Sequence, residues 1–184
     1  MQLYKKSNKE KVMEQFFLSP TQKFHIRELA RITKLNPNTI INITKALIKE
    51  NIIIRKKSKP LVYLYANVQD KKFIRAKRIY NIKSLYDSEL IDYLIDFYNN
   101  PEVIIVLGSY SKGEDTESSD IDIVVITNKK ETADLSKFES KLNRTIHLLP
   151  LSYKYMSDEF YNNLINGIIL YGYLRTKWKI LNII

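Results

Sequence analysis

Two carboxylates one residue apart, Asp120-Ile-Asp122, follow the pair Gly108-Ser109 at a distance of ten residues. The residues before the pair are apolar, Val103-Ile104-Ile105-Val106-Leu107, and so are those after the carboxylates, Ile123-Val124-Val125-Ile126. Short β-branched runs bounded by turn residues predict buried strands. Successive side chains on a strand point to opposite faces, so Asp120 and Asp122 point the same way. Two carboxylates on one face repel unless something compensates them. A hard divalent cation, held by oxygen ligands and shared with substrate phosphates, does so. Asp120 and Asp122 are therefore the candidate metal ligands and catalytic groups. Gly108 lets the backbone approach a phosphate, and Ser109 offers it a hydroxyl and an amide. With Lys112 to neutralise charge, these are the candidate nucleotide-binding residues.

Gly108-Ser109 followed by Asp120-x-Asp122 resembles the signature of the DNA polymerase β-like nucleotidyltransferases. Gly113 fits the Gly-Ser-x-[Ser/Ala]-[Lys/Arg]-Gly form of their minimal, MNT-type branch, which includes the antitoxins paired with HEPN toxins. The resemblance covers roughly residues 101–172. It implies transfer of a nucleoside monophosphate from ATP or another NTP to a hydroxyl, with Mg2+ or Mn2+ as cofactor. The acceptor it implies is a tyrosine of a HEPN-type toxin, another protein, a tRNA end or a small molecule.

That family's site normally has a third carboxylate, mid-strand on the neighbouring strand. Here the corresponding run reads Arg144-Thr-Ile-His-Leu-Leu, and His147 stands in the aspartate's place. Imidazole is a poor magnesium ligand but an acceptable one for manganese or zinc. It also serves as a general base near neutral pH. Three readings of His147 stay open: a degenerate site that still binds nucleotide, an active site with altered metal or base, or a one-residue slip in the expected register. Glu114 and Glu117 lie in the variable connection and are expected to be solvated.

The elements that must hold this site are read from periodicity. A helix over Asp87–Tyr98 precedes the first strand. After Ile126 come a helix over Thr132–Leu142, a strand at Thr145–Leu149, a helix over Asp158–Ile165 and a short strand at Gly167–Tyr171. This order predicts a mixed sheet with helices on one side. The stretch Tyr173–Ile184, with Trp178, is too short for a domain and is a candidate cap or partner contact.

The N-terminal part has another character. Val12, Met13, Phe16 and Phe17 recur at helical spacing in Lys9–Leu18, and Ser19-Pro20 closes that helix. His25–Ile32 reads as a second helix. Asn36 as N-cap and Pro37 at the first position open a third, running to about Glu50. On that helix Ile40, Ile43, Leu47, Ile48 and Asn51 share one face. Asn38, Asn42, Lys45 and Lys49 share the other. Ile52–Arg55 and Leu61–Ala66 read as two strands joined by a basic turn, Lys56–Pro60. Ile26-Arg-Glu-Leu-Ala-Arg31, Asn42-Ile-Thr44 and Leu47-Ile-Lys-Glu-Asn51 make this stretch, about Lys9–Ala66, similar to winged helix-turn-helix regulators. The likeness implies a recognition helix with Asn38, Thr39, Asn42, Lys45 and Lys49 toward duplex DNA, and a wing with Arg55, Lys56, Lys57 and Lys59 on phosphates.

Charge supports two modules. Residues 1–80 carry 19 Lys+Arg against 5 Asp+Glu, net +14, while residues 81–184 carry 11 against 15, net −4. Such asymmetry points to a nucleic-acid contact in the basic half. The expected organisation is α+β in two domains. A winged helix-turn-helix spans 1–68, a basic helical connector 69–84 with a break near Asn81–Ser84, and a minimal nucleotidyltransferase domain 85–184. The connector is a candidate linker or dimer contact, and a homodimer is expected. Cysteine is absent, so disulfides and thiolate metal sites are excluded. No apolar run reaches the roughly 18 residues that span a bilayer, and the lysine-rich N-terminus is unlike a signal peptide. A cytoplasmic protein without membrane contact is expected. The rival function is a transcription regulator whose nucleotidyltransferase fold binds nucleotide or dimerises without catalysis.

Overall fold

The computed structural model describes residues 6–58 and 61–175. The chain forms two compact units, with the boundary between Tyr80 and Asn81.

The N-terminal unit opens with α1 (Asn8–Leu18), started by a reciprocal cap. Ser7 Oγ accepts from Glu10 N at 3.2 Å, and Ser7 N donates to Glu10 Oε2 at 2.7 Å. A short β1 (Lys23–Phe24) leads to α2 (Ile26–Thr33) and α3 (Pro37–Lys49). Asn36 Oδ1 accepts from Asn38 N at 2.8 Å, which fixes the start of α3 beside Pro37. β2 (Ile53–Ser58) and β3 (Leu61–Ala66) pair antiparallel, and β1 joins β3 to complete the sheet. Phe16, Leu29, Ile40, Leu47, Ile53 and Leu64 form the core between helices and sheet.

Two expectations fail here. Asn51 is exposed at φ +64°, because α3 stops at Lys49 and the 100° step no longer applies past its end. Thr44 takes the inward place instead, its hydroxyl donating to Ile40 O at 2.8 Å. β2 also runs on to Ser58, so Lys56 and Lys57 lie on a strand and not in a turn. Lys59 lies outside the described residues.

α4 (Lys71–Asp87) is continuous through Asn81–Ser84, so the expected break there is absent. Phe73 joins the core of the first unit and Leu85 that of the second. The chain turns at Ser88–Glu89, with Glu89 at φ +69°, before α5 (Leu90–Phe97).

The second unit is built on four strands in the order β6-β5-β4-β7. β4 (Val103–Val106) runs antiparallel to β5 (Ile121–Ile126) and to β7 (Ile168–Gly172), whereas β6 (Ile146–Leu151) is parallel to β5. α6 (Gly108–Lys112) lies in the β4–β5 connection, and α7 (Ser136–Leu142) in the β5–β6 crossover. α7 begins four residues later than the sequence suggests. A 3-10 turn (Tyr153–Tyr155) and α8 (Asp158–Ile165) lead into β7.

One sheet face packs Ile104, Ile121, Ile123 and Val125 against Leu90, Leu94 and Phe138 of α5 and α7. The opposite face packs Val103, Ile105, Val124 and Ile126 against Leu164 and Phe160 of α8. Helices therefore cover both faces, not one. The fully apolar run of β4 needs cover on both sides. No helix among the described residues is long and apolar enough to cross a membrane. Trp178 and the rest of the tail from residue 176 lie outside the described residues.

Candidate active site

Strand alternation sets the site. In β5, Ile121, Ile123 and Val125 turn into one core, and Val124 and Ile126 into the other. Asp122 shares the face of Val124 and Ile126, and Asp120 precedes the strand on the same side. The parallel register pairs Asp122 with His147 and Val124 with Leu149, so the imidazole stands beside the carboxylates. His147 Nδ1 is 3.5 Å from Asp122 Oδ1, and Nε2 is 3.6 Å from Asp120 Oδ2. A slipped register would have sent His147 to the other face, so that reading of His147 falls.

The three side chains are open to water: His147 is 63% exposed, Asp120 42% and Asp122 49%. Even charged contacts this exposed contribute at most about 0–1 kcal/mol. The imidazole stands between the two carboxylates, with one nitrogen toward each.

Gly108 closes the site from the strand end. Leu107 N donates to Asp122 O at 2.9 Å, which draws the β4 exit against β5. Gly108 then adopts φ +68°, and a Cβ on it would lie 2.5 Å from Asp122 Oδ2. Both the backbone conformation and the space require glycine. α6 starts here, with Ser111 Oγ donating to Gly108 O at 2.9 Å and Gly113 at φ +78° ending the turn. The Ser109 hydroxyl makes no hydrogen bond among the described residues. Lys112 is exposed at the end of α6 and pairs with neither Asp120 nor Asp122.

Beneath this loop lies a buried polar group that the sequence reading missed. Asp115 is 2% exposed. It accepts from Asn81 Nδ2 at 2.7 Å, and Arg144 Nη2 lies 3.9 Å away. Asn81 Nδ2 also donates to Tyr110 O at 2.9 Å, so one amide ties α6 to the loop that follows. Burial, with the Asp115 charge adding to it, pushes the Tyr110 phenol well above its ordinary range. Glu114 is exposed, and Glu117 is half-buried, less solvated than expected.

Among the described residues no group of three His, Asp or Glu is arranged to hold a metal ion. The donor set is two half-exposed carboxylates with the Gly108 backbone packed against Asp122. That fits a hard divalent cation whose remaining ligands are phosphate oxygens. His147 suits manganese better than magnesium as a further ligand.

Residues 88–174 match the family model described as Polymerase beta, Nucleotidyltransferase. This segment is similar to nucleotidyltransferase domains of the polymerase β type. Its mixed sheet and flanking helices agree with that assignment, and it contains Gly108, Ser109, Asp120, Asp122 and His147. No curated protein and no solved structure matches the chain.

In the N-terminal unit, Asn38, Asn42, Lys45 and Lys49 are exposed on α3, and Arg55, Lys56 and Lys57 are exposed on β2. Thr39 is half-buried. Lys56 Nζ sits 5.3 Å from the Tyr65 ring centroid.

Proposed function

We propose that this chain is a DNA-binding nucleotidyltransferase. Its C-terminal domain moves a nucleoside monophosphate from ATP or another NTP to a hydroxyl of a partner. The observation that carries the transfer reading is the pair of exposed carboxylates, Asp120 and Asp122, on one face beside Gly108, whose backbone packs directly against Asp122. Gly108 and Ser109 bind the phosphates through backbone amides and the free hydroxyl, and Lys112 adds charge from the rim. Asp120 and Asp122 hold Mg2+ or Mn2+, which supplies positive charge to the phosphate oxygens when bound. His147 accepts the proton of the attacking hydroxyl. A HEPN-type toxin as acceptor, and a homodimer as the working form, rest on the family likeness alone. The test is incubation of the full chain with α-labelled ATP, Mg2+ or Mn2+ and cell extract. Label should appear on a macromolecule in the wild type and not in Asp120→Asn/Asp122→Asn.

The N-terminal unit is proposed as a winged helix-turn-helix on duplex DNA. Two helices ending in a polar-faced α3, followed by a basic β2–β3 hairpin, support this. Lys56→Ala/Lys57→Ala/Lys59→Ala should weaken binding to every duplex and flatten its salt dependence, by a slope of about 0.9 per lost phosphate contact. Asn42→Ala should instead lose preference at one base pair, by about 1–3 kcal/mol. A second reading has the carboxylate site bind nucleotide without transferring it, the chain acting as a regulator. The imidazole in place of a third carboxylate favours it. No label transfer in either metal, with nucleotide binding intact, would select this reading.

A further inference from the structure

A cleft of about 710 Å3 wraps the β6 edge across both sheet faces, and its part on the carboxylate face opens beside Asp122 and His147. Small-ligand sites usually measure about 300–1,000 Å3. On the carboxylate face its wall is apolar, made by Leu107, Val124, Leu149 and Phe160. Of the side chains that line it, only Asp122, His147 and Thr132 carry hydrogen-bonding groups. The first two belong to the phosphate end.

The cleft runs along β6, an edge strand paired only with β5. Thr145 O and Leu151 O accept from Ile121 N and Thr127 N of the β5 side. The backbones of Ile146, Leu148 and Pro150 therefore face the open edge. Ile146 N is taken by Glu139 Oε1 at 2.9 Å, and proline has no N–H. The edge keeps one donor, Leu148 N–H, beside free carbonyls. One donor is too few for an added strand. It does make a donor–acceptor pair, and each nucleobase has an acceptor next to a donor on one of its edges.

The geometry points to a base-tolerant nucleoside subsite in this cleft, an inference that rests on the nucleotide reading proposed above. The apolar wall takes the face of the base, with Phe160 as its aromatic member. The Leu148 backbone meets one edge of the base, and the phosphates run toward Asp122. Because the wall side chains impose no fixed hydrogen-bond pattern, base identity is read weakly.

Isothermal titration of the full chain in Mn2+ with ATP, GTP, CTP, UTP and inorganic tripolyphosphate tests this. The four nucleotides should bind within about fivefold of one another. Each should bind about tenfold tighter than tripolyphosphate, the size of one base–aromatic stack. Phe160→Ala should weaken the nucleotides by about the same factor and leave tripolyphosphate unchanged. Leu149→Ser, at a 44% exposed position that folding does not depend on, should weaken them in the same pattern. Tripolyphosphate binding as tightly as nucleotide, or both variants leaving nucleotide affinity unchanged, overturns the subsite. One base preferred by more than about thirtyfold, beyond what stacking differences supply, overturns its tolerance. If neither nucleotide nor tripolyphosphate binds, the nucleotide reading itself falls.

Discussion

Gly108→Ala separates the geometry of the site from the stability of the fold. The substitution has two effects that the structure lets us size separately. First, φ +68° places alanine in the left-handed region, at about 1–2 kcal/mol. Second, the new Cβ would lie 2.5 Å from Asp122 Oδ2 and 3.6 Å from its Cγ. Ordinary contact begins near 3.4 Å, so the carboxylate must move by about 1 Å, which a 49% exposed side chain achieves by rotating into water. The clash therefore ends mostly as a displaced ligand, with a stability cost below about 1 kcal/mol. Denaturant unfolding should show a loss of about 1–3 kcal/mol in all. Mn2+ and nucleotide binding should fall much further, because one of two carboxylates has left its place. The double variant Gly108→Ala/Asp122→Ala isolates the clash, since it keeps the backbone strain and removes the oxygen. Gly108→Ala should cost less in that background than in the wild type. Equal cost in both backgrounds, or metal binding untouched by Gly108→Ala, refutes the argument that Gly108 and Asp122 are sterically coupled.

His147→Asp puts a third carboxylate beside Asp120 and Asp122. Metal-free stability should drop by about 1 kcal/mol for each added repulsive pair at low salt, while Mg2+ affinity measured by titration rises. Unchanged Mg2+ affinity would mean that His147 does not border the metal position. Asp115→Ala leaves Arg144 buried without its carboxylate and should cost about 3 kcal/mol in denaturant unfolding. Asp115→Asn, which keeps an acceptor for Asn81, should cost less. The Tyr110 phenol is held protonated in the folded state by burial and the Asp115 charge, so the folded chain keeps that proton to higher pH than the unfolded one. The resulting stability is fully present below the ordinary phenol value of about 10 and is lost as pH rises above it. Tyr110→Phe should remove that alkaline loss, as seen by unfolding between pH 9 and pH 11 (about one unit each side of the free phenol). An identical alkaline profile in wild type and variant would show that Tyr110 is not its source.

What was legible in the sequence depended on how local the determining forces were. Asp120, Asp122 and the strands around them follow from β-branched runs and period-two alternation, which act within a few residues. Asn36 and Pro37 mark the start of α3 because a cap is satisfied within two residues. The placement of His147 also came out, since one parallel register aligns two short apolar runs. Asp115 did not: its partners, Asn81 and Arg144, lie 34 and 29 positions away in the chain, and nothing local separates a buried aspartate from its solvated neighbours Glu114 and Ser118. The continuous α4 was missed for the opposite reason. No residue there breaks a helix, and a change of charge pattern was taken for a change of backbone. The helix α8 follows from its periodicity, but its place on the second sheet face does not, though the wholly apolar β4 carries the signal for cover on both faces.

The features that make this site costly all occur at one place. Gly108 sits at a positive φ and so close to Asp122 that a side chain there strains the backbone and displaces the carboxylate. Asp120 and Asp122 are aligned on one face, where folding gains nothing from their charges. The contacts of His147 with Asp120 and Asp122 are so exposed that they contribute at most about 0–1 kcal/mol, and a solvated polar residue at that edge position would serve the strand as well. The structural task of the loop is met elsewhere, by Asn81, Asp115 and Arg144 in the interior. Local arrangements that stability does not explain concentrate where a ligand supplies the missing free energy. Asp120, Asp122, Gly108 and His147 fit that description together, whereas Asp115 and Arg144, equally polar and far more buried, do not. The division supports the proposal of ligand chemistry at the open end of β5, with the loop held from beneath by Asn81, Asp115 and Arg144.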